Sequence, residues 1–248
     1  MSQKLRQDQI LHILEKEGYV TVRYLVEALH YSSATINRDL NAMEALKLVK
    51  RSYGGVEAAK RGHLPALTQR QYYMKKEKRR VAKAAAALIQ NGDTVFLDGS
   101  TTVQYILPFL AEKKGLHVIT NNLRLAMELG SLDMEVTCLG GRVSERPYVL
   151  YGEETVENAQ RYQVNKMFFS VDAVTLDGYI HSSHYLLYKT MLKNSDAAYF
   201  LTDSTKVTDR LDKKLCDFSA LAGVISDFEF PEETRKDYDR TKFICAKE

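Results

Sequence analysis

The sequence contains the segment Tyr31-Ser32-Ser33-Ala34-Thr35-Ile36-Asn37-Arg38-Asp39-Leu40, within which a helix is expected to begin. Ser32 can accept a hydrogen bond from an N–H of the first turn, and no Pro or Gly interrupts the residues that follow. Ile36, Leu40 and Met43 recur at the i, i+4, i+7 spacing that places side chains on one helix face. The segment therefore predicts a capped helix with a single apolar face.

The opposite face of this helix is polar, and a second short helix is expected just before it. That helix covers about Val22 to Leu29, and only a few residues separate it from Ser32. Two helices this close predict a helix-turn-helix whose second helix enters a DNA groove. A polar face that is merely solvated is the alternative, and the basic composition of the region weighs against it. The residues expected to contact DNA from this segment are Ser32, Ser33, Ala34, Thr35, Asn37, Arg38 and Asn41.

Two short strands are expected after this helix, on either side of a glycine turn. Leu48-Val49-Lys50-Arg51 and Val56-Glu57 flank Tyr53-Gly54-Gly55, which is typical of the hairpin in a winged helix. Lys50 and Arg51 on the rising strand could reach DNA phosphates or a minor groove, with solvated surface as the alternative. The predicted set of DNA contacts is completed by Lys50, Arg51 and Tyr53.

Charge is distributed unevenly along the 248 residues. Residues 1–80 contain 16 Lys/Arg and 8 Asp/Glu, whereas residues 81–248 contain 19 Lys/Arg and 24 Asp/Glu. A basic N-terminal part favours binding to a polyanion, because neutralised phosphates supply most nonspecific DNA affinity. A basic disordered tail is the alternative, and the apolar periodicity argues against it.

The composition also argues against several other classes of protein. No apolar run approaches the roughly 18 residues of a membrane span, and the chain begins with polar residues, so we expect a cytosolic protein. Cys138, Cys216 and Cys245 are few and far apart, which supports neither a disulfide framework nor a zinc site. We expect no cofactor, no metal and no catalytic residues.

Two domains are predicted, with residues 58–69 as the linker because they lack periodicity and contain Gly62 and Pro65. Residues 1–57 form the winged helix-turn-helix, and residues 70–248 form an α/β domain. Short apolar runs that alternate with helical segments predict βα units and a largely parallel sheet. The expected elements are helices at about 70–90, 102–111, 123–129 and 185–194, and strands at about 94–97, 117–120, 135–139, 166–171, 198–202, 222–225 and 242–245.

The loop Asp98-Gly99-Ser100-Thr101-Thr102 lies between a predicted strand and a predicted helix. Ligands bind at such strand ends in open α/β sheets, where backbone N–H groups and hydroxyls can donate to a phosphate. The loop is therefore a candidate phosphate site. It lacks the Gly-x-x-x-x-Gly-Lys pattern of a Walker loop, and capping hydroxyls are the structural alternative.

These motifs resemble the DeoR family of bacterial transcriptional regulators. The family signature is a Ser-x-x-Thr-Ile-Arg-Arg-Asp-Leu recognition helix with a Gly-Gly wing, and this chain has Ser32 to Leu40 and then Gly54-Gly55. It departs at Asn37, where the family commonly carries Arg. An Asn at this position favours adenine in the major groove, whereas an Arg favours guanine or phosphate.

The resemblance extends to the second domain, which it implies is similar in fold to ribose-5-phosphate isomerases and glucosamine-6-phosphate deaminases. In the family the strand ends line one pocket for a phosphorylated sugar or related metabolite. The matching residues implied as effector-binding are Asp98, Gly99, Ser100, Thr101, Thr102, Asn121, Gly140, Gly141, Asp172, Asp203 and Lys206.

The predicted function is thus a DNA-binding regulator, a repressor of a sugar or sugar-phosphate catabolic operon that acts as a homo-oligomer and responds to a phosphorylated metabolite. The sequence is also compatible with two other hypotheses about function. One is a sugar-phosphate isomerase or deaminase fused to a DNA-binding head. The other is a helix-turn-helix protein whose second domain serves assembly alone.

Substitution of Arg38 by Ala should weaken DNA binding by roughly 1–3 kcal/mol if Arg38 contacts a base edge, and unequally among sequences. Electrophoretic mobility shifts at several salt concentrations, with several duplexes, measure both effects. A DNA affinity that changes neither with salt concentration nor with this substitution would contradict the assignment of the recognition helix.

Overall fold

The computed structural model divides the chain into two compact units, residues 1–70 and 71–248. No helix in the part of the chain that the structure describes is long and apolar enough to cross a membrane. The linker predicted at 58–69 stays a prediction, because residues 59–69 lie outside the described part of the chain. The structure describes residues 3–17, 19–46, 48–52, 55–58, 74–132, 134–143, 148–182, 184–209, 211 and 213–247.

The first unit contains the two predicted helices of the helix-turn-helix, Val22–Leu29 and Ser33–Ala45, after a first helix, Gln3–Glu17. Each of the two is capped by the hydroxyl that precedes it. Thr21 Oγ1 accepts from the Tyr24 N–H at 3.1 Å, and Ser32 Oγ accepts from the Thr35 N–H at 3.2 Å. These caps satisfy N–H groups that have no partner inside the helix, so both helices begin where the sequence predicts. We call Ser33–Ala45 the recognition helix.

A three-stranded antiparallel sheet completes this unit. Its strands follow the order Tyr19–Thr21, Gly55–Ala58 and Val49–Ser52. The last two form the predicted wing, while Tyr53 and Gly54 of its turn lie outside the described residues. The helices and the sheet enclose one apolar core, made by Ile10, Leu14, Val20, Leu25, Ile36, Leu40, Met43, Val49 and Val56.

A buried ion pair fixes the first helix against the recognition helix. Asp39 is fully buried, and its two carboxylate oxygens accept from Arg6 Nε and, at 3.1 Å, from Arg6 Nη2. The Arg6 guanidinium also lies over the Tyr31 ring, 5.0 Å from its centroid. Since a buried charge is tolerated only when it is paired, this forked contact helps to fix the angle at which the recognition helix leaves the core.

The second unit is built on a seven-stranded sheet in which every neighbouring pair is parallel. Buried side chains alternate along its strands. Phe96 packs into a cluster on one face of the sheet, and Val95 and Leu97 pack into a cluster on the other. Both faces are therefore covered, as expected for a parallel sheet. The strand order is Phe243–Cys245, Gly223–Ser226, Ser195–Thr202, Val164–Phe169, Thr94–Leu97, His117–Thr120 and Glu135–Cys138.

Helices and small sheets surround this central sheet. The predicted helices 123–129 and 185–194 are present as Leu123–Gly130 and Tyr185–Lys193. Among the residues that the structure describes, two α-helices were not predicted, Glu153–Ala159 and Glu232–Asp237. Small antiparallel pairings join Arg142–Val143 with Leu150–Tyr151, and Tyr179–His181 with both Ala173–Val174 and Cys216–Asp217.

Some predicted bounds were wrong. The helix expected at 102–111 is a short helix, Thr101–Gln104, followed by a 3-10 turn, Leu107–Phe109. Pro108 accounts for the break, because proline has no N–H to donate to the carbonyl four residues earlier, that of Gln104. The strand expected at 166–171 begins and ends earlier, at Val164–Phe169. In the described part of the helix expected at 70–90, Lys75–Ala87 is helical.

Replacing Asp39 by Ala should destabilise the first unit by about 3 kcal/mol, because it leaves the Arg6 charge largely buried without its partner. Thermal and urea unfolding measure the loss. Glu27→Ala is the matched control, since the Arg23–Glu27 pair is exposed and its loss should cost less than about 1 kcal/mol. Equal losses in the two variants would contradict a stabilising role for the buried pair.

Candidate functional site

The centre of the candidate effector site is Asp98, which directly follows the strand Thr94–Leu97 and is fully buried. Its Oδ1 accepts from the Ser100 N–H at 3.0 Å. Its Oδ2 accepts from the Ser170 N–H at 3.0 Å and from the Tyr188 hydroxyl at 2.7 Å. One carboxylate thus joins three segments at the carboxyl end of the parallel sheet, where ligands bind in folds of this class.

Two opposing effects act on the Asp98 carboxylate. Burial raises the pKa of Asp98, and the hydrogen bonds from Ser100, Ser170 and Tyr188 lower that pKa in part. Burial disfavours the charged form, whereas donors favour it. The three donors are therefore the means by which the fold accommodates this group.

Two lysines meet two adjacent threonines beside Asp98. Lys78 Nζ donates to Thr101 Oγ1 at 3.4 Å, and Lys206 Nζ donates to Thr102 Oγ1 at 3.4 Å. Lys206 Nζ also donates to Ser170 Oγ. All of these side chains are buried except that of Lys206, which is half-buried. The arrangement concentrates positive charge at two neighbouring hydroxyls.

Three buried polar atoms near the strand ends have no hydrogen-bond partner among the described residues. They are Asn121 Oδ1, Asn122 Nδ2 and Asp203 Oδ2. The other end of each side chain is engaged: Asn121 Nδ2 donates to the Leu150 carbonyl at 3.1 Å, and Asn122 and Asp203 cap the turns that follow them. A buried polar group without a partner is costly, so these atoms are suited to contact a bound molecule or water.

Gly99 and Ser100 each have a structural role in this fold that needs no bound ligand. A β-carbon on Gly99 would lie 2.9 Å from Val149 Cγ2, so the side chain of Val149 fills the space that glycine leaves. Ser100 Oγ accepts from the Val103 N–H at 3.2 Å and caps the helix that follows. The capping alternative for this hydroxyl is therefore observed in the structure.

Gly140 and Gly141 are held by the helix Glu153–Ala159. Thr155 Oγ1 donates to the Gly140 carbonyl at 2.8 Å, and a β-carbon on Gly141 would lie 2.1 Å from that hydroxyl oxygen. With φ at +70° and +112°, the two residues adopt conformations that favour glycine. Asp172 lies two residues beyond Ser170 and is half-buried.

Three residues that the structure brings to this site, Ser170, Tyr188 and Lys78, are outside the set of site residues predicted from the sequence. Ser170 and Tyr188 donate hydrogen bonds to Asp98, and Lys78 lies in the first turn of the helix Lys75–Ala87. A signal for Lys78 was available, since it shares the buried face of Lys75–Ala87 with Val81, Ala82 and Ala85 at helical spacing. In contrast, nothing in the local sequence pairs Tyr188 with Asp98, which is 90 residues away.

The candidate nucleic-acid interface is the outer face of the recognition helix with the neighbouring wing strand. Ser33, Ala34, Arg38, Asn41 and Lys50 are exposed. Ser32 Oγ lies 2.8 Å from Thr35 Oγ1 in addition to its cap contact, so these two hydroxyls contact one another. Asn37 and Arg51 are hydrogen-bonded to each other, and Tyr53 lies outside the described residues. The structure thus places the described predicted contacts on one helix and one strand.

Family comparisons agree with this two-part organisation. A model of the DeoR-like helix-turn-helix domain matches residues 6–61, and a model of the DeoR C terminal sensor domain matches residues 74–228. The chain belongs to the DeoR family. It is accordingly a DNA-binding transcriptional repressor and not an enzyme, as the sequence predicts.

Individual relatives within the DeoR family are distant. The chain is 30% identical to the lactose phosphotransferase system repressor of Staphylococcus aureus, over 96% of this chain and 98% of that protein. It is 28% identical to the glycerol-3-phosphate regulon repressor of Escherichia coli, over 83% of each. A ribose 5-phosphate isomerase A from Methanocaldococcus jannaschii is 17% identical and covers 56% of each chain, with a TM-score of 0.43.

Tyr188→Phe should destabilise the second unit more at high pH than at low pH. Burial raises the folded-state pKa of Asp98, so the stability contributed by this group is greatest at low pH and is lost as the pH rises through that pKa. The Tyr188 hydroxyl stabilises the ionised form, and its loss should cost roughly 1.5–3 kcal/mol where Asp98 is charged.

Urea unfolding at a series of pH values across the range in which the protein stays folded tests this prediction. Tyr238→Phe is the matched control, because its hydroxyl donates at 3.1 Å to a neutral carbonyl, that of Asp177. Its cost should be about 1 kcal/mol or less at every pH value of the series. A pH-independent cost for Tyr188→Phe would contradict the proposed support of the Asp98 charge.

Proposed function

We propose that this DeoR-family protein represses genes of sugar or sugar-phosphate catabolism and that a phosphorylated sugar or related metabolite controls it. Residues 1–57 bind operator DNA, residues 58–69 link the domains, and residues 70–248 bind the effector. The protein acts in the cytoplasm as a homo-oligomer of even number, since two-fold symmetric regulators bind paired half-sites.

The observation that carries the effector proposal is the pairing of Lys78 with Thr101 and of Lys206 with Thr102. An anion that accepts from both hydroxyls would lie beside two ammonium groups. Charge-assisted hydrogen bonds are roughly twice as strong as neutral ones, and a phosphoryl group carries about −1.5 to −2 charges at neutral pH. The site therefore suits a phosphate monoester better than a singly charged carboxylate.

The remainder of the effector is expected to carry hydroxyl groups. Asn121 Oδ1 and Asp203 Oδ2 are buried acceptors without partners among the described residues, and a polyhydroxy compound supplies donors to both. Asp172 is a further acceptor close to Ser170 in the chain. The proposed effector-binding residues are Lys78, Asp98, Gly99, Ser100, Thr101, Thr102, Asn121, Gly140, Gly141, Asp172, Asp203 and Lys206, with Asp98, Gly99, Ser100, Gly140 and Gly141 shaping the loops.

The names of two relatives support this class of effector. One is a repressor of a sugar phosphotransferase system, and the other regulates a glycerol-3-phosphate regulon.

The proposed DNA contacts are those predicted for the recognition helix and the wing, namely Ser32, Ser33, Ala34, Thr35, Asn37, Arg38, Asn41, Lys50, Arg51 and Tyr53.

A thermal-shift panel on the full-length protein tests the effector class. It contains triose, pentose and hexose phosphates, each beside its unphosphorylated sugar and beside inorganic phosphate. We expect a rise in the unfolding temperature with at least one sugar phosphate and none with the matching free sugar. A panel in which free sugars stabilise as well as their phosphates would overturn the phosphate assignment.

The double variant Thr101→Val, Thr102→Val should lose the response to the effector and keep operator binding. Valine preserves the shape of threonine and removes the hydroxyl, so two hydrogen bonds to the anion are lost and affinity should fall at least roughly tenfold. A ligand acts on DNA binding only through its different affinities for two states, so weaker effector binding must weaken operator release.

Operator binding with and without the stabilising sugar phosphate measures the outcome. Thr234→Val is the matched control, because Thr234 is equally buried but donates to the Leu176 carbonyl at a different place. It should respond as the wild type does. If the double variant also responds at the wild-type concentration, the phosphate binds elsewhere; if it no longer binds the operator, these hydroxyls are needed for folding.

A further inference from the structure

Arg51 crosses from the wing strand to the recognition helix. Its Nη2 donates to Asn37 Oδ1 at 2.6 Å, and its Nη1 donates to Asn41 Oδ1. Its backbone N–H donates to Glu44 Oε1 at 3.0 Å. Residues 37, 41 and 44 have i, i+4, i+7 spacing and share one face of the helix. The guanidinium therefore bridges one turn of the outward face, between Asn37 and Asn41, and the backbone of Arg51 is attached to Glu44 about one turn further along.

The Asn37 side chain is engaged at both ends. Its Nδ2 donates to the Ser33 carbonyl at 2.9 Å and to Ser33 Oγ at 3.2 Å, while its Oδ1 accepts from Arg51. An asparagine that recognises adenine uses both its amide nitrogen and its amide oxygen for the base. Here both groups are used within the protein, and they turn the amide oxygen toward Arg51.

The contacts with Asn37 and Asn41 use only part of the donor set of the Arg51 guanidinium. Among the described residues the hydrogen-bond partners of the guanidinium are the neutral amides of Asn37 and Asn41, while the Glu44 carboxylate accepts from the backbone N–H of Arg51. A guanidinium has five N–H groups, and each amide oxygen accepts from a different terminal nitrogen. The remaining N–H groups are available to an acceptor pair such as guanine O6 and N7.

Resting on the DNA contacts proposed above, we propose that Arg51 is a base-reading residue of this repressor and that Asn37 and Asn41 are its positioning residues. The wing strand supplies the guanidinium, and the two amides hold it in a fixed plane over the recognition helix. The preferred base is one that offers two adjacent acceptors in the major groove, O6 and N7, which is guanine. Base preference attributed to Asn37 then belongs to Arg51, through the contact between them.

Selection of binding sites from a random duplex library, performed with the full-length protein, tests this assignment. Arg51→Lys keeps the charge but cannot bridge two amides in one plane. It should reduce affinity for the selected sequence roughly tenfold to a hundredfold and relax preference at one base pair, with the salt dependence unchanged. Asn37→Ala should relax preference at the same base pair, and the double variant should behave as Arg51→Lys alone does.

Lys50→Ala is the matched control, since Lys50 is an exposed cation on the same strand. It should lower affinity uniformly and reduce the salt slope by about one, without changing the selected sequence. Unchanged thermal unfolding of all variants would show that each one is folded. The proposal is overturned if Arg51→Lys selects the wild-type sequence, or if Asn37→Ala and Arg51→Lys alter different base pairs independently.

Discussion

A carboxylate that is removed from water must find hydrogen-bond donors, and the Asp98 carboxylate finds them on three separate segments. Ser100 comes from its own loop, Ser170 from the end of the neighbouring strand, and Tyr188 from a helix further along the chain. The position of each donor is constrained, because moving it away would leave the buried Asp98 carboxylate without one of its hydrogen bonds. The loops that carry Thr101, Thr102 and Ser170 are thereby held at the same end of the sheet, and Lys206 reaches them there.

The local sequence pattern was sufficient to predict those elements whose structure depends on neighbouring residues alone. A capping hydroxyl and the spacing of apolar residues predicted the recognition helix, and short apolar runs that alternate with helical segments predicted the parallel sheet. The sequence could not give contacts between distant positions, such as Tyr188 with Asp98 or Asn37 with Arg51, because no local rule relates those residues. The helix predicted at 102–111 extended past Pro108, because the missing proline N–H was not taken into account. Lys78 was not predicted at the site, although its spacing from Val81 and Ala85 indicates that it lies on the buried face of its helix.

The candidate effector site illustrates why residue type alone is a weak guide to role. Ser100 and Gly99 belong to the predicted phosphate loop, yet in the structure the first caps a helix and the second accommodates Val149. The neighbouring threonines, in contrast, meet two lysines from distant parts of the chain. Geometry therefore separates the residues that shape the loop from those that can face an anion.

The recognition helix has two faces with separate tasks. Its inner face carries Ile36, Leu40 and the buried Asp39, which set its orientation, while Asn37 and Asn41 on the outer face contact Arg51. Substitutions on the outer face leave the core contacts intact. They therefore change the free energy of unfolding little, and the marginally stable domain stays folded. New operator preferences can thus arise through single substitutions at exposed positions, and related repressors can diverge in the genes they control while the scaffold stays the same.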